Sequence, residues 1–162
     1  MTTAPPIVVG IDGGQASIAA LEAAIREAAL RGTTVTAMTC WPSDDRRDDA
    51  GPLLCNTYEQ ATEVMEHVIN EATRRDPDHG VTIVRRISQS YAGPSLVEAS
   101  RHADLLVLGS TTRGTLGRHH GKQTIEHCLR YAASPVLVVP WTAASFDEVD
   151  IDTDLHLRSS AG

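Results

Sequence analysis

The chain has 162 residues, enough for one domain with a full core; it carries a net charge of −7 and only 4% aromatic residues. The acidic balance excludes a general nucleic-acid surface, which needs a concentrated basic face, though not a local site for a small anion. No segment approaches the ~20 apolar residues of a membrane span, and the three cysteines, Cys40, Cys55 and Cys128, form no CxxC pair and fit a reducing cytoplasm.

The opening MTTAPPIVVGIDGG has no basic leader region, and its apolar run is too short for a signal peptide. Ile7-Val8-Val9 followed by Gly10-Ile11-Asp12-Gly13-Gly14 reads as a buried strand ending in a glycine turn. Ser17 to Arg31 has helical spacing, with Ser17 as its expected N-cap and Gly32 as its C-cap. Thr33 to Trp41 is a β-branched, apolar second strand. Residues 43–53 alternate Asp and Arg and read as a charged surface loop rather than a metal site. A second helix is expected from Asn56 to Arg74, burying Tyr58, Ala61, Met65, Val68, Ile69 and Ala72.

Val81 to Ser88 reads as a third strand. Gly93-Pro94-Ser95 opens a short helix to His102, with Ser95 or the turn before it as cap. Leu105 to Leu108 is a fourth strand, whose continuous apolar run implies burial on both faces. A loop carrying Gly114, Gly117 and Gly121 among Arg113, Arg118, His119, His120 and Lys122 leads to a helix from Lys122 to Ala132. Pro135 introduces the last strand, Val136 to Pro140. Five strands alternating with helices specify a doubly wound parallel sheet with helices on both faces. The acidic segment 141–162 lies outside that pattern and reads as a disordered or loosely docked tail; its alternation of Asp with Val149, Ile151, Leu155 and Leu157 leaves open an added edge strand or a contact with a partner subunit.

Ligands of such sheets bind outside the carboxyl ends of the strands, where strand order reverses. Two loops meet there if the first and fourth strands are neighbours: Gly10 to Gly14, and Gly109 to Gly121. Asp12 can accept a hydrogen bond from a ligand there, or simply hold its own turn. The basic loop and the following helix N-terminus suit an anion. Gly121-Lys122 is not a Walker A loop, because Leu116 stands for the leading glycine and Gln123 for the final Ser or Thr. Gly10, Gly13 and Gly14 do not make GxGxxG. His119, His120 and His127 read as loop and helix-surface histidines rather than metal ligands, and Cys55 and Cys128 as packing residues. Ser90 and Ser110 have no triad partners, so no catalytic residue is assigned.

The segments IVVGIDGG (Ile7 to Gly14), LRGTTVTAM ending the first helix region, ADLLVLGS (Ala103 to Ser110) and SPVLVVP (Ser134 to Pro140), in this order, resemble the universal stress protein family. The resemblance implies one domain over residues 1–140 with an adenine-nucleotide alpha-hydrolase-like sheet of order 3-2-1-4-5. It implies a protein, generally without catalytic machinery, that acts in stress responses. It also implies a homodimer formed through the last strand, here Val136, Leu137, Val138 and Val139. Nucleotide-binding members carry G-x2-G-x9-G-[ST] after the fourth strand. Here Gly109 matches the first glycine, but Thr112 stands at the second, and Lys122-Gln123 replace the final pair. By the same resemblance Gly10, Ile11, Asp12, Cys40 and Leu108 match positions lining the adenosine pocket, and Arg113 and Arg118 are candidate phosphate contacts. The expectation is loss of ordinary ATP binding, with action through unidentified protein partners and neither nucleic acid nor membrane. A modified site for ATP or cyclic AMP, or a slow ATPase built on the loop 109–123, is the alternative. An adenylylating or electron-transfer-flavoprotein-like domain is a third.

Overall fold

The computed structural model describes residues 4–41, 57–111 and 119–141. Five parallel strands form one sheet: β1 (Ile7–Gly10), β2 (Val35–Cys40), β3 (Ile83–Ser88), β4 (Leu105–Thr111) and β5 (Val136–Trp141), in the order β3-β2-β1-β4-β5. Helices α1 (Gln15–Arg31), α2 (Tyr58–Thr73), α3 (Ala92–Ser100) and α4 (His119–Tyr131) connect them. The order expected from the family resemblance is therefore the order found.

The strand sequences explain why both faces are covered. Alternate side chains of one strand point to opposite faces, and here both sets are apolar. Ile7, Val9, Val35, Ala37, Leu105 and Val107 pack under α1 and α2, in the core that holds Leu21, Ile25, Met65 and Val68. Val8, Met38, Leu106 and Leu108 pack on the other face with Leu96, Ala99 and Cys128 of α3 and α4. Register is parallel throughout, with Ile7 level with Val35 on one side and Leu105 on the other.

Helix α1 is rich in alanine on its buried side, where Ala16, Ala20, Ala24 and Ala28 let it lie close on the sheet. It ends at Gly32, whose φ of 64° lets its N–H return to the Ala28 carbonyl. Arg31 then bridges Glu27 of its own helix and Asp104 at the start of β4.

Several local expectations are corrected. Ser17 is not the N-cap of α1: Gly14 holds that position, and the Ser17 hydroxyl sits one turn in, donating to the Gly14 carbonyl at 2.8 Å. α3 starts at Ala92, so Ser95 lies inside the helix and Tyr91 stands at the cap. α4 starts at His119, three residues before the expected Lys122. Tyr58 is exposed, at the first position of α2, where the helix has not yet reached the sheet. β4 runs on to Thr111, and β3 begins at Ile83. The 43–53 loop, Cys55 and the tail from 142 onward lie outside the described residues.

Candidate functional site

β1 and β4 are neighbours whose following helices leave to opposite faces, which makes their carboxyl ends the switch point of the sheet. Gly10 ends β1, with Ile11 and Asp12 after it, and Cys40 ends β2, while Leu108 and Gly109 lie within β4, three and two residues before its end at Thr111. Ile11 is buried, and its N–H donates to the Met38 carbonyl at 2.8 Å, fixing the exit of β1 against β2. Asp12 follows and is exposed. Its Oδ1 accepts from the Gly14 N–H at 2.8 Å, a side-chain turn that sets the loop into α1. Gly13, between them, has φ of 89°. Asp12 thus has a structural task for one carboxylate oxygen.

The two glycines of the site are explained by packing. A Cβ on Gly109 would stand 2.2 Å from the Ala16 carbonyl oxygen and 2.4 Å from its carbon. The first turn of α1 lies directly on β4 there, and only glycine permits it. A Cβ on Gly10 would meet Leu108 Cδ2 at 3.1 Å and Leu96 Cδ1 at 3.3 Å, so two leucines fill the space above β1 on the α3 face. Leu108 itself is a core residue.

Cys40 ends β2 level with Ser88 of β3. Its thiol is held above the ordinary range by burial, an effect opposed by hydrogen bonds with Ser95 and Ser90. The Ser88 and Ser90 hydroxyls are 2.7 Å apart, and Ser90 in turn bonds Ser95. This serine ladder joins β3 to the first turns of α3. The sequence reading missed it, because the three serines come from a strand end, a turn and a helix, and only the parallel register brings Cys40 beside them.

Lys122 and Gln123 are exposed in the first turns of α4. The Lys122 amine is 3.9 Å from Glu126, one turn further along, and its side chain is 78% exposed. Thr112, Arg113 and Arg118, with Gly114 and Gly117, lie outside the described residues. Among the described residues no group of three or more His, Cys, Asp and Glu side chains could hold a metal. Cys128 is buried in the α3/α4 core, its thiol pushed up to about 11 chiefly by burial. His127 packs on Tyr131, ring centres 4.9 Å apart. No described helix is long and apolar enough to cross a membrane.

Comparison with known proteins agrees with this geometry. The family model of the universal stress protein family matches residues 4–140. A universal stress protein of Mycolicibacterium smegmatis is 32% identical over 145 residues, 82% of this chain and 47% of the relative. One of Mycobacterium tuberculosis is 29% identical over 133 residues, covering 44% of its length. The chain thus spans about half the length of the curated relatives it matches. Among solved structures, a universal stress protein of Archaeoglobus fulgidus superposes with a TM-score of 0.65 at 20% identity, over 86% of this chain and 99% of that one. A structure of the Archaeoglobus fulgidus protein in complex with dAMP gives 0.61 at 19% identity, over 85% and 99%. A universal stress protein in complex with cAMP gives 0.58 at 21% identity, over 85% and 98%.

Proposed function

The chain belongs to the universal stress protein family, and on that premise we propose that it acts non-enzymatically in a cytoplasmic stress response, through homodimerisation and partner binding, without ordinary ATP binding. The observation that carries this reading is the account of Gly109. It is the one glycine of the nucleotide-binding motif that stays in register, and the contact with the Ala16 backbone requires it whether or not a phosphate ever approaches. Its retention is therefore no evidence for a phosphate site. The other two motif glycines are replaced by Thr112 and Lys122, and a side chain at those positions opposes close approach of backbone to phosphate. Partner binding is favoured at β5, an outer strand of the sheet, where Val136 to Val139 form an edge without charged residues.

The test is the thermal midpoint of the purified protein with ATP, ADP and cyclic AMP at millimolar concentration, alongside calorimetry. The expected result is no shift. A ligand at 100 times its dissociation constant would add about 2.7 kcal/mol, which a melting curve resolves easily. Micromolar binding that Asp12→Ala abolishes overturns the non-binding part.

One observation favours the alternative, an adenine-nucleotide site or slow ATPase using the loop 109–123. Asp12 is exposed, and only its Oδ1 is committed to the turn. Relatives solved with cAMP and dAMP share the fold. Mass spectrometry of the small molecules released on denaturation decides between the two readings. A co-purified adenine nucleotide supports the alternative.

A further inference from the structure

The two arginines in the middle of β3 point to opposite faces of the sheet. Ile83 and Ile87 pack against the α1 and α2 core, which places Arg85 on their face and Val84, Arg86 and Ser88 on the other. Arg85 is held on its face by Glu66 of α2. Arg86 is exposed and makes no hydrogen bond or ion pair among the described residues.

On the Arg86 face, α3 rests on β1, β2 and β4. Among the described residues β3 is left open there, and Val84 is 47% exposed. Thr34, Thr36 and Met38 alternate with Val35 and Ala37 of the α1 and α2 core, so they share the Arg86 face. α3 passes along the other side of this strip. Its first turn is tied to Ser88 through Ser90 and Ser95. At its far end, Arg101 and His102 line an open groove of about 610 Å³ with Thr34, Pro5 and Pro6. The result is a trough with Thr36 and Val84 on its floor, Arg86 toward one end, and Arg101 and His102 at the other.

Register sets the spacing of the charges. Thr36 is level with Val84, and Met38 with Arg86. Thr34 comes four residues before Met38, so the Arg101 end and Arg86 are about 13 Å apart along the strands. An extended guest chain has the same rise and turns its residues i, i+2 and i+4 to one side. Acidic side chains at the first and fifth positions reach the two basic ends, and an apolar one between them lies over Val84. Charge selects such a guest: Arg86 is an unpaired cation on a chain of net charge −7. Arg101 meets Glu98 through Nε at 3.0 Å, but its side chain is 62% exposed and such a pair is weak.

We infer that the trough between α3 and β3 docks an extended segment of a partner protein with the pattern acidic-x-apolar-x-acidic, held by Arg86 at one end and by Arg101 and His102 at the other. The inference rests on the reading that the chain acts through partners, and it adds a surface separate from β5. It lies on the α3 face, at the opposite side of the sheet from the dimer strand.

Fluorescence anisotropy of the full chain with a labelled peptide, Ser-Glu-Ser-Val-Ser-Glu-Ser, tests the docking. Saturable binding is expected, weakening as salt is raised. Arg86→Gln and Arg101→Gln are each expected to weaken it roughly fivefold or more. Arg85→Gln, the same change on the opposite face, is expected to leave it unaltered. Melting curves confirm that each variant is folded. A peptide with adjacent glutamates, Ser-Glu-Glu-Val-Ser-Ser-Ser, is expected to bind more weakly. No binding by the wild type overturns the inference. Equal weakening by Arg85→Gln and Arg86→Gln shows general charge attraction and overturns it too. Equal affinity for the two peptides overturns the match of spacing. Sedimentation equilibrium reads the β5 dimer separately. A dimer that takes no peptide overturns the trough alone, and a monomer that binds it overturns the dimer alone.

Discussion

Gly109→Ala is the most informative single substitution. The new methyl carbon would sit 2.2 Å from the Ala16 oxygen, 2.4 Å from its carbonyl carbon and 2.9 Å from its Cβ. Two of these three atoms are backbone in the first turn of α1, so no side-chain rotation relieves the overlap. The turn must retreat from β4 by about an ångström, dragging Ala20 and Leu21 from the core beneath them. Overpacking of this kind costs about 1–3 kcal/mol, and a backbone neighbour places the cost at about 3 kcal/mol. For a domain of this size each kcal/mol lowers the midpoint by about 2–4 °C, so the expected fall is about 6–12 °C. Gly10→Ala is the internal control. Its Cβ meets only the ends of Leu108 and Leu96, at 3.1 and 3.3 Å, and these tips can shift at a cost of under about 1 kcal/mol. Thermal and urea denaturation of both variants give the comparison. Gly109→Ala melting within about 2 °C of the wild type would refute the packing account, and with it the claim that this glycine says nothing about phosphate.

The Thr39 hydroxyl is buried and without a partner among the described residues. Thr39→Val keeps the shape and removes an unsatisfied group, so a gain of about 1 kcal/mol in urea denaturation is expected. The Cys128 thiol, raised to about 11 from 9.0, ionises in the unfolded chain before it does in the folded one. Its contribution is complete below pH 9 and lost as pH rises toward 11; a Cys128→Ala variant should show a shallower decline of the midpoint over that window. Arg31→Ala breaks the links to Glu27 and Asp104, which are partly solvent-exposed. The expected loss of stability in urea denaturation is small and shrinks in high salt; a large loss that salt leaves unchanged would contradict it.

The strand–helix alternation was legible because each strand is a short run of Val, Ile, Leu and Ala, apolar on both faces, and because Gly32 and Pro135 punctuate the chain. Periodicity and turn chemistry are local, so a single sequence carries them. Helix starts were less legible. Ser17 and Ser95 are good capping residues, but a cap is set by where the backbone turns, and the close seat of α1 on β4 and of α3 on the sheet fixed those turns instead. The departures from the motif that the family resemblance implies, at Thr112 and Lys122-Gln123, could also be counted from the sequence alone.

Only the tertiary structure decided why particular residues are present at the site. Gly109 reads in sequence as a phosphate glycine, and in space it is the point where a helix backbone touches a strand. Gly10 reads as loop freedom, and in space it makes room for Leu96 and Leu108. Cys40 finds Ser90 and Ser95 across some fifty residues of chain, a relation that parallel register creates and no spacing rule announces. The sequence by itself determined the class of fold, since burial pattern and turns are encoded residue by residue. The meaning of the site residues depended on distances between segments far apart in the chain, which packing alone sets.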